Sequence, residues 1–304
     1  MGWIMKIYVL VENKSNESYI GEHGLSLLIE INGTTVLFDT GQTGVFLNNA
    51  KKMNKDLSKL DYVVLSHGHY DHVGGLKRFI EGTKYNKTIL VGKGFLNKKY
   101  KKENDEFIYN GITFDDDFYP FTFVDGYYKI NEDISVHGNI TNKNDFEEIN
   151  PRFYLKNKNY ENDLFLDEIF ITIKTKKGLL LICGCSHVGV VNIIEEIEKR
   201  TNKKVFAFIG GTHLTNANMT RIEKTIDRFR QLDFIGACHC SGNSDILGIE
   251  LKDKYIKIRS GDILKKDAKE EYIKLLKENK KKPDYKKEMY QAQTDKNYKD
   301  GDKN

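Results

Sequence analysis

Six consecutive positions, from His67 to His72 in the run SHGHYDHVGG, hold three of the chain's eight histidines and an aspartate. In an extended or tightly turned segment His67 and His69, two apart, can turn both rings to the same side and grip one cation. Asp71 and His72 follow where the chain must bend into a helix, and they can face a second, neighbouring cation. Imidazole with carboxylate suits zinc and similar first-row metals, and the absence of cysteine from this run argues against a closed structural thiolate site. The expected cofactor is two divalent metal ions per chain, zinc first, with manganese or iron as alternatives. Two ions roughly 3.5–4 Å apart can act together on an electrophilic carbon or phosphorus. A surface loop with incidental histidines does not account for four such side chains packed so densely.

Three more histidines stand just after strand-like runs: His187 in CGCSH, His213 in GGTH and His239 in CHCSG. His23 lies in GEHG between the first two expected strands, where it could reach the mouth of a substrate pocket. For His23 and His213 the plainer reading is a satisfied histidine in a turn. The four cysteines fall as Cys183-Gly-Cys185 and Cys238-His-Cys240, which in a reducing compartment suggests free thiols or ligands rather than disulfides. Cys183 fits a small apolar core residue. A four-cysteine site lacks the usual two-residue spacing. It remains the basis of a reading from a different class, a cysteine- and iron-based redox or sensor protein. The pairs Gly74-Gly75 and Gly210-Gly211 permit close backbone approach, and the first could offer amides to an anion.

The elements that must position these groups are legible as alternating apolar runs. Strands are predicted at 4–11, 25–31, 35–39, 62–66 and 88–92, with a hairpin turn at Asn32-Gly33. A helix is predicted over 45–53, and another from His72 or Gly74 through LKRFIEG. Residues 93–162 show no sustained periodicity and read as an insertion or covering region. Then IFITIKT, LLLICGCSH, KVFAFIGGTH and DFIGACHC read as strands, with helices VVNIIEEIEKR and TRIEKTIDRFRQL between them. Strands and helices alternating in this way imply a layered α/β domain over 1–264, with chemistry where strands end.

Composition narrows the function class. The chain has 39% hydrophobic and 30% charged residues, and no apolar run approaches the roughly 20 residues needed to cross a bilayer. The N-terminus reads as a strand, not a signal peptide, so a cytoplasmic protein is expected, with no membrane partner. Residues 265–304 hold 13 lysines against 9 acidic residues, so the whole net charge of +4 sits there, in what reads as a mobile tail. The body therefore offers no basic face for nucleic acid, and a small molecule, phosphorylated or not, is the expected partner.

The cassette resembles the H-x-H-x-D-H motif of the metallo-β-lactamase superfamily, and FDTG, with Asp39, resembles that superfamily's first motif. GEHGLSLLIE, CGCSHVGVVNI, FIGGTHL and CHCSG look like one branch, the 7,8-dihydropterin-6-methyl-4-(β-D-ribofuranosyl)aminobenzene 5′-phosphate synthases, over roughly residues 4–262. The resemblance implies an αββα sandwich with metals at one edge of two facing sheets, and hydrolytic or group-transfer chemistry. It implies His67, His69 and His187 on one ion, and Asp71, His72 and His239 on the other, with Asp71 also catalytic. Asp39 would hold a ligand by hydrogen bonding. His213 would act as general acid or orient a phosphate, as a histidine does in related nucleases. Cys185 occupies the approximate place of the superfamily's bridging aspartate, and His137 is the one earlier histidine after the cassette. A metal-dependent phosphodiesterase or phosphatase is the alternative enzyme reading.

Overall fold

The computed structural model describes residues 4–267, except 116, 142 and 243, together with 274–275. β1 (Ile4–Val11), β2 (Ser26–Ile31) and β3 (Thr34–Phe38) form an antiparallel meander. Its second turn is Asn32-Gly33, whose φ values of 49° and 87° are those the Asn-Gly pair favours in a tight hairpin. After α1 (Val45–Lys52), β4 (Tyr62–Leu65) joins β3 in parallel. α2 (Tyr70–Val73) and α3 (Leu76–Thr83) lead to β5 (Ile89–Gly92), parallel again. β6 (Lys99–Glu103) and β7 (Glu106–Tyr109) leave the sheet, and β8 (Thr122–Val124) returns to it beside β5.

β9 (Tyr127–Lys129) and β10 (Ile134–His137) begin the second sheet. β11 (Phe153–Lys156) pairs instead with β6, and β12 (Tyr160–Asn162) with β11, in a separate four-stranded sheet of order β12-β11-β6-β7. β13 (Phe170–Thr175), β14 (Gly178–Ile182), α4 (Val190–Thr201), β15 (Val205–Gly210), α5 (Met219–Phe229) and β16 (Phe234–Ala237) complete the second sheet, in the order β16-β15-β14-β13-β10-β9. After α6 (Ser244–Leu251), β17 (Ile263–Asp267) pairs antiparallel with β1, and β18 (Lys274–Leu275) lies outside it.

Period-two alternation sorts the apolar side chains into three layers. Ile7 and Val9, Leu27 and Ile29, Leu180 and Ile182, and Ala207 and Ile209 fill the space between the sheets. Tyr8, Leu10, Leu28 and Leu37 face the other way, onto Phe46 and Ala50 of α1 and Leu76 and Phe79 of α3. Leu179, Leu181 and Phe208 meet Ile193 and Ile197 of α4 and Ile222 and Phe229 of α5. Each fully buried aliphatic side chain contributes roughly 1.5–3 kcal/mol, so the layers hold one another in register. The architecture is the expected αββα sandwich.

Three expectations change in detail. The helix after the cassette is two short ones, because the Gly75 amide donates to Gly41 O in place of a carbonyl one helical turn back. A Cβ on Gly74 would lie 2.2 Å from Gln42 O, and one on Gly75 2.1 Å from Thr43 O. Their amides already donate to Tyr70 O and Gly41 O, so this pair serves packing and not an anion. The unpatterned stretch 93–162 is only in part a covering sheet, since residues 122–137 carry strands of both main sheets. Residues 265–267, read from the sequence as the start of a tail, belong to β17; the rest of that segment, apart from 274–275, lies outside the described residues.

Candidate metal centre

β1, β3, β4, β14, β15 and β16 all end at one edge of the sandwich, and their following residues supply the site. Asp39 follows β3 and is fully buried with φ 58°. Its Oδ1 accepts the Ser66 amide at 2.7 Å, and its Oδ2 accepts the Ser66 hydroxyl and His72 Nδ1, both at 2.7 Å. Ser66 Oγ in turn lies 2.9 Å from His67 Nδ1 and accepts its proton. One carboxylate thus orients both rings, leaving the Nε2 lone pair of His67 free and turning Nε2 of His72 into the site, where a cation would displace its proton. Gly184 makes room for this: a Cβ there would sit 2.2 Å from Ser66 Oγ.

The freed nitrogens converge. His67 Nε2 lies 3.0 Å from His69 Nδ1, and His72 Nε2 lies 3.1 Å both from His239 Nε2 and from Cys185 Sγ. His69 uses Nδ1 because its Nε2 faces the Asn110 amide at 3.3 Å. Turning that amide over gives the otherwise unpartnered Asn110 Oδ1 a proton to accept. His239 follows β16 with φ 54°; its Nδ1 lies 3.0 Å from Asn13 Oδ1, while its amide donates to Glu12 Oε1 at 2.8 Å. His187 is held through its backbone, with Glu168 accepting the amides of residues 187 and 188, and its ring stacks on Phe165 at 3.8 Å. His187 Nε2 is buried with no hydrogen-bond partner.

Three donor sets emerge, each within 4.8 Å: His67, Cys185 and His187; His72, Cys185 and His239; His23, Asp71 and His239. Cys185 belongs to two of them. Asp71 Oδ2 lies 3.2 Å from His239 Nε2 and 3.2 Å from Nε2 of the half-exposed His23.

Electrostatics favour a cation here. Burial, followed by repulsion from His72 and His69, pushes His67 well below its ordinary value. Burial likewise depresses His69 and His187, so these three present neutral lone pairs at pH 7. Burial would lower His72 too, but the Asp39 and Asp71 carboxylates overcome it and hold His72 at about 9. Burial opposes ionisation of Asp71 as well, yet the charge of His72, then the close contacts with His23 and His239, take it well below the carboxylate range. Lone pairs 3 Å apart, an orphaned imidazole nitrogen and a buried carboxylate are a donor set that fits a bound metal.

His213 follows β15 with φ 49° and lies against His187, ring centres 4.3 Å apart, but belongs to none of the donor sets. Burial and the charges of Arg221 and Arg152 hold it at about 4. His137 is bound to Thr172 Oγ1 at 2.9 Å and packs on Tyr127, outside the cluster. The thiols are divided: Cys183 and Cys238 lie in different core layers, so among the described residues no four-cysteine cluster forms.

Glu12, Asn13, Asn110, Phe165 and Glu168 were not anticipated. Glu12 and Asn13 carry a signal in hindsight, as two polar residues directly after the apolar run of β1. The others act from sequence positions far from their partners.

The family model of the metallo-β-lactamase superfamily matches residues 19–139. An uncharacterised protein of Methanocaldococcus jannaschii is 32% identical over 242 residues, covering 78% of this chain and 90% of its own. Another protein of that organism, named 7,8-dihydropterin-6-methyl-4-(β-D-ribofuranosyl)-aminobenzene-5′-phosphate synthase, is 30% identical over 84% of this chain and 95% of its own. A crystal structure described as a metal-dependent hydrolase of the β-lactamase superfamily superposes with a TM-score of 0.75 at 31% identity, covering 86% of this chain and 98% of that one. Motif, fold and relatives agree, and the chain belongs to the metallo-β-lactamase superfamily.

Proposed function

We propose that the protein is a metal-dependent hydrolase or group transferase acting on a small molecule, with two cations held side by side. His67, His69 and His187 would hold one, and Asp71, His72 and His239 the other, with Cys185 between them. The observation that carries this reading is the pair of donor sets meeting at Cys185 Sγ. Two bound divalent ions, zinc before manganese or iron, would supply Lewis acidity and lower the pKa of a bound water.

The chain's own groups would do the rest. The Asp39–Ser66 relay fixes the imidazoles, so no reorganisation is needed when charge develops. Phe153 and Phe165, at 5.3 and 5.5 Å from His69, shield the inner donor set from water. His213, held at about 4, is neutral at pH 7 and orients a substrate rather than donating a proton. His23, on the solvent side of Asp71, would line the entrance. A relative named as a pterin-linked phosphate synthase supports a pterin or a phosphorylated small molecule as substrate.

Metal analysis of protein purified without added metal tests the reading, with two ions per chain expected; saturation at one ion would refute the dinuclear site. Turnover of bis-p-nitrophenyl phosphate that needs metal and is lost in His69→Ala favours ester hydrolysis. Its absence from fully loaded protein moves the chemistry to group transfer.

A further inference from the structure

Beside the metal centre lies a set of cationic and hydroxyl groups that the site just described does not use. Arg221 stands in the first turn of α5, its amide accepted by the N-cap Asn218 at 2.9 Å, with its side chain folded inward and 8% exposed. Nη1 donates to Glu148 O at 3.1 Å, but the buried Nε and Nη2 have no partner. Arg152, on the facing loop, also has a buried Nε without a partner. Its guanidinium lies 5.1 Å from the ring of Phe153, whose own centre is 5.8 Å from His213 and 5.1 Å from His187. Thr212, fully buried in the turn after β15, has an unpartnered hydroxyl too.

Nearby carboxylates do not account for these donors. Glu147 spends its oxygens on the amides of residues 191 and 192 and on Asn144, and Glu168 on those of residues 187 and 188. The charges of both arginines reach His213. A buried N–H left without an acceptor costs free energy that a ligand can recover, and a guanidinium offers several donors in the planar fork that matches phosphate oxygens. Three separate chain segments supply such donors, and the charges of two of them, Arg221 and Arg152, act on His213.

We propose that Arg221, Arg152 and the Thr212-His213 turn form an anion subsite that takes a phosphate group of the substrate, holding it beside the metals; this rests on the metal-site reading above. The phosphate it takes is a recognition handle, separate from the bond that reacts at the cations. Placement there would leave the reacting atom over the donor sets and the rest of the molecule towards His23.

Calorimetric titration of metal-loaded protein with inorganic phosphate tests it. Arg221→Gln should weaken binding by about tenfold or more, the scale of a lost charge-assisted contact, with the metal content unchanged. Arg221→Lys should recover part of the affinity. Affinity within about twofold of the parent in both Arg221→Gln and Arg152→Gln would overturn the subsite, because phosphate would then be held by the cations alone. Should Arg221→Gln lose its fold or its metal, the half-buried Arg152→Gln decides: weaker phosphate binding supports the subsite and unchanged binding overturns it. Failure of the dinuclear reading shows separately, as a metal content below two ions in the unsubstituted protein.

Discussion

Asn13 shows how much of the centre depends on residues that are not ligands. Its amide accepts from His239 Nδ1 and donates to His239 O at 3.1 Å, clamping ring and backbone together. If two cations bind as proposed, Asn13→Ala should weaken binding of one by about tenfold or more while sparing the other, as removal of such partners generally does; a competitive chelator titration reads both affinities. Two equal, unshifted affinities would show that His239 needs no such clamp. The six-residue cassette stands out in the sequence because its candidate ligands are contiguous. Asn13 does not, since it meets His239 across 226 positions and no local spacing records that meeting. Arg221 was hidden for another reason: in an amphipathic helix a charged residue is expected on the solvated face, and this one turns inward.

Elements were readable where each had a regular apolar face. β1 begins and ends where its alternation does, and the strand and helix order from residue 169 to 237 follows the sequence pattern. The stretch 93–162 was opaque because its strands are only three to five residues long, with many half-exposed side chains, too short for a period to register. The start of α4 illustrates a different loss of signal. Its N-cap is Gly189, which has no side chain to offer, and Glu147 from the covering region accepts the amides of residues 191 and 192 at 3.0 and 2.7 Å instead. Glu147→Ala should cost roughly 1–2 kcal/mol in urea denaturation, the usual worth of a cap, and Glu147→Gln clearly less. An equal loss in both would mean that the charge and not the cap is what matters. Because α4 follows directly on the His187 turn, the same substitution should also loosen metal binding.

For the whole molecule, acid stability is set in part by a histidine remote from the chemistry. His137 is almost fully buried on β10, and burial, then the charge of Arg200, lowers it to about 4. Between about pH 6.5 and pH 4 the unfolded chain binds a proton that the folded one refuses, so stability is present above that window and is lost as pH falls through it. About 2 kcal/mol should disappear between pH 7 and pH 5 from this residue alone. His137→Gln should flatten that part of the urea-midpoint profile relative to the parent; an unchanged slope would assign the acid sensitivity elsewhere. The pairing of β1 with both β2 and β17 carries a consequence for synthesis. While the ribosome is still making the second sheet, a nascent chain already holds the cassette and Asn13, yet its first sheet ends at an open β1 edge. His239 and β17 emerge late, and the polypeptide must bring segments more than two hundred residues apart together before the centre exists. Cation uptake is thereby deferred until translation is nearly done, and a chain stalled short of β17 is left with an adhesive strand edge in place of a working site.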